Sequence, residues 1–182
     1  MSDFVKSLMN NEEWAYRQLV KEYGKRVFNM CYYILHDKID AEDATQEVFI
    51  SVYTSISAFR EDAKFSTWIY RLTLNKCHEK LRYDSRKKRK GEMVSIELQA
   101  QLKDQNLSPE NTLINKEELD ALFYAINLLP ENQRIAYTLC NMNELNYVEI
   151  AESMNLSLSA VESLIFRAKK NLKKTLTDTI TH

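Results

Sequence analysis

Apolar residues recur every three or four positions along most of this chain, and polar breaks divide them into a series of amphipathic helices. Asn11-Glu12-Glu13 opens the first, a capping side chain followed by first-turn acids. Trp14, Leu19, Val20 and Tyr23 give it an apolar stripe, and Gly24 punctuates it. A second helix, rich in Val27, Phe28, Met30, Cys31, Tyr33 and Ile34, reads as deeply buried. Asp40 is placed to cap a third, in which Val48, Phe49, Val52, Tyr53 and Ile56 recur. A short polar segment, residues 57–64, precedes a fourth helix from about Phe65 to Tyr83.

Periodicity weakens from Lys87 to about Leu107, which reads as a linker. Ser108-Pro109-Glu110 restarts a helix, with a capping Ser and Pro at the first helical position. It continues through Leu119, Leu122, Phe123, Ile126 and Leu129. Pro130 breaks it and begins another, Glu131 to about Met142. Asn146 and Glu149 have capping-box spacing, with Ile150, Ala151 and Met154 on the apolar side of a short helix. Asn155 suits a left-handed turn, and Ser157 caps a last helix that carries Val161, Leu164, Ile165 and Ala168 inside. Two short helices joined by a tight turn, the second ending in Arg167, Lys169, Lys170, Lys173 and Lys174, have the form of a helix-turn-helix. A generic helical hairpin is the bland alternative.

The expected fold is therefore all-α: two small helical domains joined by a linker, the C-terminal one a helix-turn-helix. The boundaries fall at residues 1–86, 87–107 and 108–182. Composition agrees, because only two Gly and two Pro occur in 182 residues. Net charge is −1, so no global field draws the chain to nucleic acid. The charge is instead separated. Residues 64–90 hold ten Lys/Arg against two Asp/Glu, residues 92–120 two against seven, and residues 163–174 five against none. Such blocks imply distinct contact surfaces.

Cys31, Cys77 and Cys140 form no CxxC pair and read as small buried residues of a reducing compartment. No metal, cofactor or small-molecule substrate is called for. No apolar run approaches a membrane-spanning length, so a cytoplasmic protein without membrane insertion is expected.

The fourth helix carries the most pointed chemistry. At 100° per residue, Lys64, Thr67, Arg71, Asn75, His78 and Arg82 fall within an arc of about 80°. A cationic, hydrogen-bonding ribbon of this kind suits a nucleic-acid strand; an ordinary solvated face is the alternative. The preceding acids, Asp40, Glu42, Asp43 and Glu47, suit a basic protein surface.

Together these pieces resemble the small, two-domain extracytoplasmic-function sigma factors of bacterial RNA polymerase. Residues Asp40 to Phe49 (DAEDATQEVF) resemble that family's core-binding helix. Phe59-Arg60 and the run Phe65 to Arg71, continuing to Asn75 and Arg82, resemble its promoter-melting and −10-reading segment. Leu129 to Arg134 (LPENQR), Tyr147 to Ala151 (YVEIA) and the stretch from Val161 to Ala168 resemble its −35-reading domain. The resemblance covers roughly residues 11–83 and 108–175.

It implies an alternative initiation factor, not an enzyme, whose partners are core RNA polymerase and promoter DNA. Small sigma factors commonly also have an anti-sigma protein. Asp43, Gln46 and Glu47 match positions that dock on the polymerase. Arg60, Lys64, Thr67, Trp68, Arg71, Asn75 and Arg82 form the implied −10 set, and Phe59–Ser66 matches a loop that captures a flipped base. Trp68 is open to two readings, a stacking platform or core. Ser157, Ser159, Glu162, Ser163, Phe166, Arg167 and Lys170 form the implied −35 set. Glu162 and Leu164 depart from the family pattern, since basic residues often stand there. Glu162 either accepts from a cytosine amino group or is an exposed helix residue.

Two rivals compete. A stand-alone helix-turn-helix regulator would need an effector or dimerisation segment. A metal nuclease would need Asp40, Glu42, Asp43 and Glu47 as ligands, with partners elsewhere that the sequence does not offer.

Overall fold

The computed structural model describes residues 2–60, 63–89, 116–141, 143 and 145–180. Its helices are α1 (Asp3–Met9), α2 (Glu13–Leu35), α3 (Lys38–Ser55), α4 (Phe65–Arg89), α5 (Lys116–Asn127), α6 (Glu131–Asn141), α7 (Tyr147–Met154) and α8 (Leu158–Ile180). A 3₁₀ turn, Ile56–Ala58, follows α3. Every regular element among the described residues is helical.

The N-terminal half departs from the expected pattern in five places. Helix α1, capped by Ser2, has no counterpart in the sequence reading. Asn11 does not cap α2; it takes a left-handed conformation, φ 58°, in the link between α1 and α2. Helix α2 runs unbroken through Gly24, because Ala15, Leu19, Tyr23, Val27, Met30 and Ile34 form one continuous buried stripe. The roughly 1 kcal/mol that Gly costs a helix is small beside that burial. Trp14 and Val20, expected on the stripe, are half exposed. Helix α3 is capped by Asp37, not Asp40: the Asp40 N–H donates to Asp37 Oδ1 at 2.8 Å.

Helix α4 continues to Arg89, so the first residues of the expected linker are helical. The rest of that linker, and the restart at Ser108-Pro109-Glu110, lie outside the described residues. The C-terminal half follows the expected local chemistry closely. Asn146 and Glu149 form a reciprocal capping box. Asn155 adopts φ 54°, ψ 48° at the turn, and Ser157 Oγ accepts the Ala160 N–H at the start of α8.

The two halves pack against each other. Helix α6 contacts α2, and α7 contacts α4. The buried cluster of Ile34, Val48, Ile69 and Leu74 continues into Ile135, Leu139, Ile150 and Val161. A second cluster joins Tyr33 of α2 to Ile126, Leu129, Ala168 and Leu172. The Tyr33 ring stacks on Phe123 with centroids 5.6 Å apart and planes 19° from parallel. Arg134, which is buried, donates from Nη1 to the Asn127 and Leu129 carbonyls and from Nη2 to the Ile34 carbonyl at 3.4 Å. Helix α2 has no basic residue in its last turn, so this guanidinium supplies the cation that helix C-termini favour. Cys31 and Cys77 are buried free thiols, and Cys140 is half-buried.

Candidate polymerase and nucleic-acid interfaces

Helix α3 presents one outward face. Asp43, Gln46 and Glu47 are all exposed, while Ala41, Ala44, Val48 and Val52 point into the core. Asp43 makes no hydrogen bond or ion pair among the described residues. Glu47 is 3.7 Å from Lys76, whose ammonium is held above its ordinary range first by Glu79 and then by Glu47. On the same face stand Ile39, Ile50 and Tyr53, 65%, 62% and 55% exposed. With the polar three they span an arc of about 120°. Tyr53 was expected in the core; its ring instead lies against Tyr16 at the surface, 5.3 Å between centroids. Periodicity alone missed Ile39 and Ile50. The available signal was their phase, since both share the turn positions of Asp43 and Gln46. Charge with exposed apolar groups on one face is the composition of a protein-binding patch.

The α4 ribbon divides. Arg71, Asn75 and Arg82 are exposed. Thr67 is fully buried, contrary to expectation. It lies only about 20° around the helix from buried Leu74, on the edge of α4 that α7 packs against. Two members of the ribbon are already engaged. Lys64 Nζ is 2.6 Å from Glu149 Oε1, and His78 Nε2 is 3.5 Å from Glu131 Oε1. Burial raises the Glu149 carboxyl, but the Lys64 hydrogen bond, the Asn146 backbone N–H and the Lys64 charge outweigh it and leave it below its ordinary value.

Beside the ribbon is an aromatic box. Phe65 meets Phe4, Tyr23 and Phe59 edge to face, and Trp68 lies 5.3 Å from Phe59 and 5.7 Å from Phe65. Trp68 is half-buried in this box, so it packs with the core. Arg60 is exposed next to it; residues 61 and 62 of the loop lie outside the described residues.

Helix α8 carries the third surface. Ser159, Glu162, Ser163, Phe166, Arg167 and Lys170 are all exposed and fall within an arc of about 140°. Phe166 is 71% exposed, an apolar side chain with no core role. Ser157 Oγ is committed to the helix cap and lies 3.2 Å from Ser159 Oγ. Val161, Ile165 and Ala168 are buried behind this face, and Leu164 is half-buried. Between α8 with α7 on one side and the start of α4 on the other is an open cleft of about 950 Å³. Among the described residues no group of three His, Cys, Asp or Glu is placed to hold a metal ion, and no helix is long and apolar enough to cross a membrane.

Residues 19–87 match the Sigma-70 region 2 family, and residues 119–172 match Sigma-70, region 4. The chain is 31% identical to the ECF RNA polymerase sigma-E factor of Escherichia coli over 91% of its length and 88% of that protein's. It is 30% identical to the RNA polymerase sigma-H factor of Pseudomonas aeruginosa, over 94% and 91%. It is 28% identical to the ECF RNA polymerase sigma factor SigW of Bacillus subtilis, over 96% and 95%. Its fold matches CnrH, solved with the cytosolic domain of CnrY, at a TM-score of 0.71, 20% identity and 96% of each chain. It matches RpoE of Bartonella quintana, solved with the anti-sigma factor NepR, at 0.73, 17% identity, 89% of this chain and 96% of that one. The two family matches cover the helices that bear the three surfaces, and the chain belongs to the extracytoplasmic-function sigma factors, which bind core RNA polymerase and direct it to promoters.

Proposed function

We propose a division of labour among the three surfaces. The α3 face docks on core polymerase through Asp43, Gln46 and Glu47, with Ile39, Ile50 and Tyr53 supplying apolar contact. Arg60, Lys64, Arg71, Asn75 and Arg82 hold the separated −10 strand, and the aromatic box with Trp68 forms the rigid wall of the loop that receives an extruded base. Extrusion costs a few kcal/mol of stacking, which a close-fitting wall offsets. The α8 face reads the −35 element: Arg167, Ser163 and Glu162 address base edges, Phe166 meets a thymine methyl, and Ser157, Ser159 and Lys170 hold phosphates. The corresponding units are residues 1–86 and 108–182, with 87–107 between them. The protein works in the cytoplasm, without catalysing a reaction of its own. An anti-sigma protein is a further partner, by analogy with RpoE and NepR.

The observation that carries this reading is the line of Arg71, Asn75 and Arg82, exposed beside the aromatic box within the region 2 match. Permanganate footprinting of a cognate promoter with core polymerase tests it. Arg71→Ala/Asn75→Ala should retain core binding and lose −10 reactivity. Wild-type reactivity and transcription in that variant would reduce the ribbon to a solvated helix face.

A further inference from the structure

Helix α1 lies outside the region 2 match, which begins at residue 19, yet it is built into the aromatic box beside the proposed base-capturing loop. Its inner face buries Val5 and Leu8 in the main core. Its C-terminal end is tied down. The Asn11 N–H donates to the Leu8 carbonyl and the Glu12 N–H to the Ser7 carbonyl, both at 3.0 Å. The Tyr16 hydroxyl of α2 donates to the Leu8 carbonyl at 2.9 Å. Helix α1 thus has a fixed seat against α2 and the 3₁₀ turn. From that seat Phe4 meets the Phe65 ring edge to face, with centroids 6.1 Å apart and planes at 89°. Phe65 meets Phe59 in the same way, at 5.6 Å and 89°. Phe59 and Phe65 stand near the two ends of the loop, so the row Phe4, Phe65, Phe59 runs from α1 across the loop's base. Ser2 and Val5 of this N-terminal segment line the open cleft together with Phe59, Ala63 and Lys64.

We infer that α1 is a positioning element for base capture, with Phe4 bracing Phe65, and through it Phe59, in the arrangement that receives the extruded base. The inference rests on the reading of Phe59–Ser66 as the capturing loop. Phe65 is only half-buried, so its neighbours decide how firmly its ring is held. Tyr23 and Trp68 hold two sides of that ring from within the region 2 match, and Phe4 adds a further side from outside it. Without the Phe4 edge the ring gains freedom to turn, and the two ends of the loop lose part of their common wall. Ordering that wall afresh would then be subtracted from the stabilisation that the captured base supplies. A wall held before the base arrives offers its whole contact at once. Phe4 touches no DNA in this scheme; it acts through Phe65.

The test uses the full chain assembled with core polymerase and a promoter fragment already open at −10. An abasic site is placed in turn at each non-template position of the opening, and the captured position is the one where wild type loses most affinity. Phe4→Leu keeps an apolar side chain in the α1 seat and removes the ring edge. It should weaken binding of the intact strand by about threefold to tenfold and leave binding of the abasic strand unchanged, because the brace acts only through the base. Phe4→Tyr, which keeps the ring, should match wild type on both strands. Equal losses on intact and abasic strands in Phe4→Leu would reduce α1 to a stabiliser of the fold and overturn the positioning role. Wild-type affinity on both strands in that variant would overturn it too, while leaving base capture standing. If wild type itself loses nothing at any abasic position, base capture fails and takes this inference with it.

Discussion

Lys80 Nζ lies 2.7 Å from Asp40 Oδ1, tying the start of helix α3, the proposed polymerase-docking face, to helix α4, the proposed strand-binding one. With Lys76 to Glu47, it gives the two helices a pair of ionic cross-ties, and each tie takes an acid from the row that was expected to face a partner. The acids of this row therefore differ in what they have left to offer. Among the described residues Asp43 makes no such ion pair, so under the proposed reading it is the acid of this row most open to polymerase. We predict that Asp43→Lys weakens core binding roughly tenfold, and Glu47→Lys less, because Glu47 is already partly neutralised. Fluorescence titration against core enzyme, with circular dichroism to confirm unchanged helicity, makes the comparison. Equal loss from both would show that the Lys76 contact does not discount Glu47.

The proposed −35 face of α8 yields a prediction about base preference. Arg167→Ala should cost about 1–3 kcal/mol of discrimination at one position, and Ser163→Ala less. If Glu162 accepts from a cytosine amino group, Glu162→Ala changes which sequences win a selection over randomised −35 elements. An identical preferred sequence would assign Glu162 to the solvent face alone.

Backbone conformation gives two stability predictions of opposite sign. A Cβ built on Gly24 would meet only Val20 Cγ1, at 3.7 Å, an ordinary contact. Gly24→Ala should thus stabilise the chain by about 0.5–1 kcal/mol, seen as a higher urea midpoint with unchanged slope. Asn155 holds φ 54°, where residues with a Cβ are strained. Asn155→Ala should destabilise by about 1 kcal/mol and Asn155→Gly should not, with the loss appearing also in −35 duplex affinity.

Acidification should loosen the molecule in two windows. Partial burial of the His36 imidazole, and then the Arg134 charge, lower its pKa from 6.5 to about 4. Between those values the unfolded chain binds the proton that the folded chain refuses, so stability falls as pH drops from about 6.5 towards 4. Glu149 titrates below its ordinary 4.5, so its contribution is present above 4.5 and is lost as pH falls through the lower value. Denaturation midpoints measured from pH 7 to pH 3.5 should fall throughout. Replacing His36 with Asn should flatten only the upper window.

The sequence was most legible where one side chain dictates the backbone. The Asn146–Glu149 box, the Asn155 turn, the Ser157 cap and the exposed α8 face all depend on contacts within a few residues. It was least legible where distant helices decide. Gly24 looked like a break because propensity is local, whereas the stripe from Ala15 to Ile34 is selected by α3 and α4. Thr67 had the phase of an exposed polar residue, yet it is fully buried in a helix that α7 packs against. Tyr53 was misread, and Ile39 and Ile50 passed over, for the converse reason: all three stay exposed, Tyr53 lying against Tyr16 at the surface.

Helix α2 makes the molecule sensitive to length as well as to chemistry. Its 23 residues span about 34 Å, with the N-terminal turns built into the first bundle and Tyr33 and Ile34 engaging the second. The helix is a spacer with a handed thread. One residue inserted near its middle would advance the far end by about 1.5 Å and turn it by about 100°, swinging Tyr33 away from Phe123 while leaving each side chain's own chemistry untouched. Insertions in multiples near a full turn restore the angle but overshoot the distance. Drift in the length of this helix is therefore constrained even where substitution along its outer side is free.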